Sequence, residues 1–347
     1  MTQTVKALVT RGPGQSFCLE EIERRDPRPH DVVIAVEYSG ICHSDIHTAR
    51  AEWGETIFPL VPGHEIAGTV VSVGDDATKH SVGEKVGVGC FVDSCRECSF
   101  CKAGQEQHCA RGTVFTYNSL GYDGEPTLGG YSKVIVVDED YVLKLPEGID
   151  LARSAPLLCA GITLYAPLKE WGACPGTRVG IVGMGGLGHM GVQIARAMGA
   201  DVTVLSRGLS KKEDGLRFGA ADYRATTDPR TFEELAGSFD LLVCTISAQV
   251  DVDALLGLVK TGGTMVFVGM PPGKQGFSIS AMTTGRRRMA GSLIGGIALT
   301  QEMLDFCAAH KALPMIEVVS ADRVGETYDR VVAGDVHYRA VIDVGTL

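Results

Sequence analysis

The six residues Gly183-Met184-Gly185-Gly186-Leu187-Gly188 restrict the folds open to this chain more than any other segment. They follow an apolar run, Arg178-Val179-Gly180-Ile181-Val182, that reads as a buried strand. After them Leu187, Met190, Gly191, Ile194 and Met198 recur at helical spacing, and Asp201-Val202-Thr203-Val204-Leu205 reads as a second strand. Strand, glycine turn, helix and strand form a βαβ unit, which requires a parallel sheet. Inside that unit the glycines fit G-x-G-x-x-G. Gly183 permits the tight turn, Gly185 lets backbone amides approach a pyrophosphate, and Gly188 lets helix and strand pack closely. Gly186 and Leu187 complete the loop, and the helix N-terminus faces the phosphate charge. The segment is therefore read as a dinucleotide site, with further strands of the same sheet expected at 240–245 and 264–268.

The end of the second strand selects among dinucleotides, because an acidic side chain there would bond a ribose 2′-hydroxyl and repel a 2′-phosphate. This chain has Ser206-Arg207 instead, followed by Lys211 and Lys212. A hydroxyl and up to three cations suit a phosphate dianion, so the cofactor expected is NADP(H). The two lysines alone read equally well as the solvated start of a helix.

A chain of 347 residues is too long for one hydrophobic core, so at least two domains are expected. Residues 1–155 carry short Val-rich runs such as Asp31-Val32-Val33-Ile34-Ala35-Val36, punctuated by Gly and Pro, as in antiparallel strands of a barrel-like domain. Residues 156–295 carry the parallel-sheet pattern. Residues 296–347 end in the strand-like Tyr338-Arg339-Ala340-Val341-Ile342-Asp343-Val344 and are expected to return to the first domain. The formal charge of −10, with basic residues scattered, makes nucleic acid and anionic membrane poor partners. No run is apolar enough to span a bilayer and the first residues lack a secretory signal's apolar core, so a cytoplasmic protein is expected.

Cys95, Cys98, Cys101 and Cys109 give C-x₂-C-x₂-C-x₇-C. Four thiolates so close can close a tetrahedral zinc site with no open position, in a lobe at about 90–112, so this metal should hold a loop rather than catalyse. An iron–sulfur cluster is the rival reading, but the related ferredoxin run has a shorter last gap and a proline after its fourth cysteine, where Ala110 stands here. Disulfides are the third reading, disfavoured by the absence of an export signal and the odd total of 11 cysteines. Elsewhere, Cys42 in Gly40-Ile41-Cys42-His43-Ser44-Asp45 and His64 in Gly63-His64-Glu65 are each ambiguous, since an isolated Cys or His is more often packed than ligating.

Taken together, the segments at 40–45 and 63–65, the four-cysteine lobe, Cys159 before Gly161-Ile162-Thr163, and the glycine loop resemble the zinc-containing medium-chain alcohol dehydrogenases over essentially the whole chain. Within that family the chain is most similar to the cinnamyl alcohol dehydrogenases and bacterial NADP-dependent aldehyde reductases. The resemblance implies an α/β protein: a GroES-like β-barrel catalytic domain plus a Rossmann domain with a doubly wound parallel sheet. It implies two zinc ions per chain, the catalytic one held by Cys42, His64 and Cys159 with one place open and Glu65 as a transient ligand. Two thiolates and a neutral imidazole leave that metal uncharged overall and still open, whereas the lobe site carries −2. Asp45 is implied to orient the histidine ligand, and Ser44 and His47 to form a proton relay.

By the same resemblance His43 and Arg339 are expected at the cofactor pyrophosphate, and Thr163 and the Val268-Gly269 backbone near the nicotinamide. Trp53, Cys90 and Leu293 are expected as walls of an apolar substrate pocket. Relatives commonly have Leu in place of Trp53, so a broad range of aromatic and medium aliphatic aldehydes is expected rather than a strict monolignol preference. A homodimer or homotetramer is implied. A polyol dehydrogenase, which usually has a glutamate where Cys159 stands, and a zinc-free quinone reductase fit less well. A non-catalytic nucleotide-sensing oligomer would need neither Ser44 nor an open metal.

Replacing Arg207 by Asp should shift cofactor preference from NADPH toward NADH, measured as the ratio of the two kcat/KM values. An unchanged ratio would refute the role given to Arg207.

Overall fold

The computed structural model describes residues 3–271 and 273–347. The chain divides into two compact units, each continuous in space but not in sequence. The first comprises residues up to Cys159 together with Gly295–Ala308 and Leu313–Leu347, and the second Ala160–Ile294 with Ala309–Ala312.

The first unit is built on antiparallel strands. A hairpin of β1 (Gln3–Val9) and β2 (Cys18–Arg24) opens it. Next come β3 (Asp31–Ile41), β4 (Ile66–Val73) and β5 (Lys85–Val88), then the short pair β6 (Phe91–Asp93) and β7 (Val114–Phe115), and finally β8 (Val134–Asp138) and β9 (Leu143–Lys144). The Val-rich run that begins β3 is buried almost throughout, because β3 pairs with both β4 and β8. The helix α1 (His43–Ala49) follows β3 directly, and its backbone start is tied by Asp45. In the loop between α1 and β4, Gly63 has φ +105°. A Cβ there would stand 2.6 Å from the Tyr131 ring and 2.9 Å from the Gly130 nitrogen, so the loop carrying His64 can pack closely only around glycine.

The second unit has six parallel strands: β10 (Arg178–Val182), β11 (Asp201–Ser206), β12 (Asp222–Ala225), β13 (Phe239–Cys244), β14 (Val259–Phe267) and β15 (Arg288–Gly291). Their spatial order is β12-β11-β10-β13-β14-β15. The direction of winding reverses between β10 and β13, the place where open α/β sheets bind ligands. The glycine turn leaves β10 at that point. Strands expected from the apolar pattern at 178–182, 201–205 and 240–245 appear within a residue of those limits. The run at 264–268 is the end of a longer strand, and β14 is paired on both sides by β13 and β15. That strand therefore lies inside its sheet; the open edges of the observed order are β12 and β15. Val182, Leu205, Phe239, Leu242, Cys244, Leu256 and Met265 form the buried core of this unit.

The chain closes with β16 (Ile316–Ser320) and β17 (Arg339–Asp343), which join the first unit's sheet in the order β16-β17-β3-β4-β5-β9. Ala340 to Asp343 pair antiparallel with Ile41 to Tyr38, which sets Arg339 beside the end of β3. The fold thus consists of a GroES-like β-domain and a Rossmann domain. Among the described residues no single helix is long and apolar enough to cross a membrane.

Phe239 is fully buried, and its ring packs near Gly180 and beneath the Arg178 guanidinium. Phe239→Ala should cost about 3–5 kcal/mol. The loss should appear in the calorimetric transition that NADPH binding shifts, and a cost under about 1 kcal/mol would contradict this packing.

Candidate metal and cofactor sites

Cys42 follows β3 and serves as the N-cap of α1, His64 and Glu65 lie in the loop before β4, and Cys159 follows a short 3₁₀ turn over Ala155–Leu158. Far apart in sequence, these four buried residues converge so that one donor atom from each lies within 4.8 Å of every other. The Cys42 and Cys159 sulfurs are 4.0 Å apart. Two thiolates on one tetrahedral zinc stand about 3.8 Å apart, given Zn–S bonds near 2.3 Å, so the donor set fits the ion.

Asp45 organises this cluster. Fully buried, it accepts from the Cys42 backbone N–H (2.8 Å), the Gly63 backbone N–H (3.0 Å) and His64 Nδ1 (3.1 Å). A carboxylate is an acceptor only, so His64 carries its proton on Nδ1 and turns Nε2 to the metal. Burial opposes charge on His64, but Asp45 outweighs it and holds the imidazole well above its ordinary pKa. A hydrogen bond from Cys159 holds Cys42 well below the usual thiol range, and the same contact pushes Cys159 well up. The two sulfurs behave as a thiol–thiolate pair, and metal binding must release the remaining proton. The Tyr117 ring lies 5.6 Å from that of His64 and fixes its plane from one side.

Burial pushes Glu65 up to about 7 against the pull of Arg339. Its Oε1 takes a short hydrogen bond from the buried Arg339 guanidinium, and its Oε2 has no partner. The glycine at position 40 makes room for this carboxylate, since a Cβ there would meet Oε2 at 1.9 Å. Arg339 is thus hydrogen-bonded to Glu65 in the ligand-free chain. The pair joins residues too distant in sequence for any local pattern to signal it.

Ser44 Oγ lies 3.6 Å from Cys42 Sγ. His47, one turn farther along α1, meets the Glu52 carboxylate at 2.5 Å through Nδ1 and stacks on Trp53 at 4.8 Å between ring centres. Neither Glu52 nor Tyr117 was identifiable from sequence; Glu52 was only one more acid in a polar turn. Cys90 is half-buried beside Cys159. His43 is exposed at the start of α1.

The second cluster joins Cys95, Cys98, Cys101 and Cys109, whose sulfurs all lie within 4.8 Å of one another. Sulfur separations of 3.5 Å (Cys98 to Cys101) and 3.9 Å (Cys95 to Cys101) again suit one tetrahedral ion. Backbone N–H groups of Cys95, Cys98 and Ala110 point at the sulfurs of Cys109, Cys95 and Cys98. Such donors spread the charge of four thiolates. Backbone hydrogen bonds at Cys101 and Ala110 hold Cys98 down to about 6, so this site is ready to lose protons near neutrality. Arg96, with φ +61°, anchors the lobe to Asp138 (2.9 Å) and Asp140 (2.7 Å).

In the second unit, Gly183 has φ +99° and its N–H donates to Leu205 O at 2.8 Å. A Cβ on Gly188 would lie 2.0 Å from Gly183 O, whereas one on Gly185 would meet nothing, leaving the turn open for a pyrophosphate. Gly186 and Leu187 are half-buried in the turn, and Ser206 and Arg207 lie at the end of β11, Arg207 exposed. Lys211 and Lys212 begin the helix Lys212–Arg217, which follows β11. Val268 and Gly269 donate to Cys244 O beyond the ends of β14 and β13. Thr163 is buried on the helix Ala160–Glu170, and Leu293 is largely exposed.

Two family models match the chain, the alcohol dehydrogenase GroES-like domain over residues 28–147 and zinc-binding dehydrogenase over residues 186–309. The NADP-dependent alcohol dehydrogenase C of Mycobacterium tuberculosis is 55% identical over 99% of both chains. Aldehyde reductase YahK of Escherichia coli is 49% identical over 99% of both. The crystal structure of CAD from Helicobacter pylori complexed with NADP(H) superposes with a TM-score of 0.94 at 41% identity, over 99% of each chain. The protein belongs to the zinc-containing medium-chain alcohol dehydrogenase family and is an oxidoreductase.

Metal analysis should find two zinc ions per chain. Asp45→Asn should weaken the catalytic ion by about 10–100-fold in competition with a chelator while sparing the lobe ion. Equal release of both ions, or of neither, would refute this role for Asp45.

Proposed function

We propose that this protein transfers hydride between NADP(H) and primary alcohols or aldehydes, acting as a reductase of aromatic and medium aliphatic aldehydes. The observation that carries the reading is the buried convergence of Cys42, His64, Glu65 and Cys159, with the Ser44 hydroxyl beside it. The names of the close relatives, an NADP-dependent alcohol dehydrogenase and an aldehyde reductase, support cofactor and substrate class. Cysteine rather than glutamate at position 159 favours this over a polyol dehydrogenase.

When bound, zinc supplies a Lewis acid for the carbonyl oxygen and NADPH supplies the hydride. Cys42, His64 and Cys159 would hold the ion, and the Glu65 carboxylate, hydrogen-bonded by Arg339, would lie beside it. Ser44 donates a proton to the nascent alcohol oxygen. His47, held through Nδ1 by Glu52, would link Ser44 to solvent in the relay. Trp53 stacks on His47 and keeps the ring in place. His43, Thr163, Val268 and Gly269 contribute to the cofactor site, and Trp53, Cys90 and Leu293 to the apolar walls around the substrate. Eleven unpaired cysteines, six of them in the two metal clusters, accord with a reducing cytoplasm, and the protein is proposed to work there as a homodimer or homotetramer.

With the zinc-loaded enzyme, NADPH absorbance should fall on adding benzaldehyde or cinnamaldehyde, and faster than on adding polyol-derived ketoses. Ser44→Ala should lower kcat by about 10²-fold or more while zinc content and NADPH affinity stay unchanged. Turnover of polyols but not aldehydes would replace this reading with a polyol dehydrogenase, and two metals without turnover would favour a nucleotide sensor.

A further inference from the structure

Tyr223 is almost fully buried, and its hydroxyl makes no well-formed hydrogen bond, with only the Ser206 hydroxyl near enough to interact with it. A buried donor without a partner is costly and calls for an explanation. In the parallel pairing of β11 with β12, Tyr223 stands opposite Val204, two residues before Ser206. Alternation along a strand puts Val204 and Ser206 on one face, so the Tyr223 ring points along the face that carries the Ser206 hydroxyl. The residues around this ring belong to the dinucleotide site. A Cβ on Gly215 would lie 2.6 Å from Tyr223 Cδ2 and 3.8 Å from Cε of Met184, the second residue of the glycine turn. Burial pushes the phenol pKa up, and the neighbouring Ser206 hydroxyl opposes that push. At neutral pH Tyr223 is therefore protonated and able to donate. The backbone beside it is already fixed, with the Thr226 N–H on Ser206 O (2.7 Å) and the Thr227 hydroxyl on Arg207 O (2.9 Å).

We propose that the Tyr223 hydroxyl is a positioning group for cofactor selection, setting the Ser206 hydroxyl to donate to a phosphate monoester on the ribose. The proposal rests on the NADP(H) reading above. Ser206 has one proton and two lone pairs, and a phosphate dianion can only accept. If Tyr223 donates to the Ser206 oxygen, the serine proton is turned outward, and the chain Tyr223 O–H to Ser206 O–H to phosphate satisfies every group. Hydrogen bonds in such a chain strengthen one another in a buried setting. A ribose hydroxyl both donates and accepts, so it draws less from this arrangement than a phosphate does. Tyr223 would thus favour the phosphorylated cofactor without touching it.

Tyr223→Phe removes one oxygen and keeps the ring, so the ligand-free variant should stay folded, which its thermal unfolding checks. Calorimetric titration of the zinc-loaded enzyme with adenosine 2′,5′-bisphosphate and with AMP separates the phosphate from the rest of the cofactor. The variant should bind the bisphosphate about fivefold more weakly and AMP unchanged. In a Ser206→Ala background the same substitution should change neither. Equal weakening of both ligands, no weakening, or a full effect without Ser206 would overturn the proposal. Should Ser206→Ala and Arg207→Asp both leave the preference for bisphosphate over AMP intact, the NADP(H) reading of this site falls as well. Should they reduce that preference while Tyr223→Phe does not, the positioning role alone falls.

Discussion

The catalytic cluster depends on one buried carboxylate. Asp45 ties the start of α1 to the loop of Gly63 and His64 through two backbone amides and an imidazole, and so turns two remote segments into one donor set. A buried charge is tolerated only when its acceptor sites are filled, and here three donors fill them. The same bonds decide which nitrogen of His64 is free and where Cys42 points. Cys159 then completes a set whose sulfur separation already suits zinc, so the polypeptide does much of the ordering that metal binding would otherwise require.

Around this centre the fold uses charge sparingly and in pairs. Glu65 and Arg339 are both buried and each leaves one polar atom unpartnered, so the pair is held in place without being fully satisfied. The lobe works in the opposite way. Three of its four sulfurs receive backbone N–H donors, the fourth meets the Ser94 hydroxyl, and its outer face is clamped by Arg96 on Asp138 and Asp140, an arrangement suited to permanence. The contrast between a set whose supporting pair is partly unsatisfied and a set whose sulfurs are filled by donors separates catalytic from structural metal.

Much of the second unit was legible because its pattern is local. The run 178–182 is a strand wherever it is placed, and a glycine triplet between strand and helix has few other physical uses. The start of β14 was not legible, because Gly262 and Gly263 read as a break, and they do fall at a register shift, but Val259 before them still pairs with Phe239 of β13 and keeps the strand going. Tyr223 also escaped notice. An aromatic residue in a strand normally means only packing, and its unpartnered hydroxyl becomes visible only once Ser206 and Gly215 are seen around it.

The sequence by itself determined the chemistry available: a four-cysteine lobe, a dinucleotide turn, a strand end lacking an acid, and through family resemblance the identity of the catalytic ligands. These depend on residue type and short spacing, which a linear chain displays directly. Only the tertiary structure decided how Asp45 apportions its acceptors, that Arg339 rests on Glu65, that Glu52 and Trp53 brace His47, and that β14 lies inside its sheet. Each of these is a matter of distance and burial between segments remote in sequence or turned by a loop, and neither quantity exists until the chain has folded.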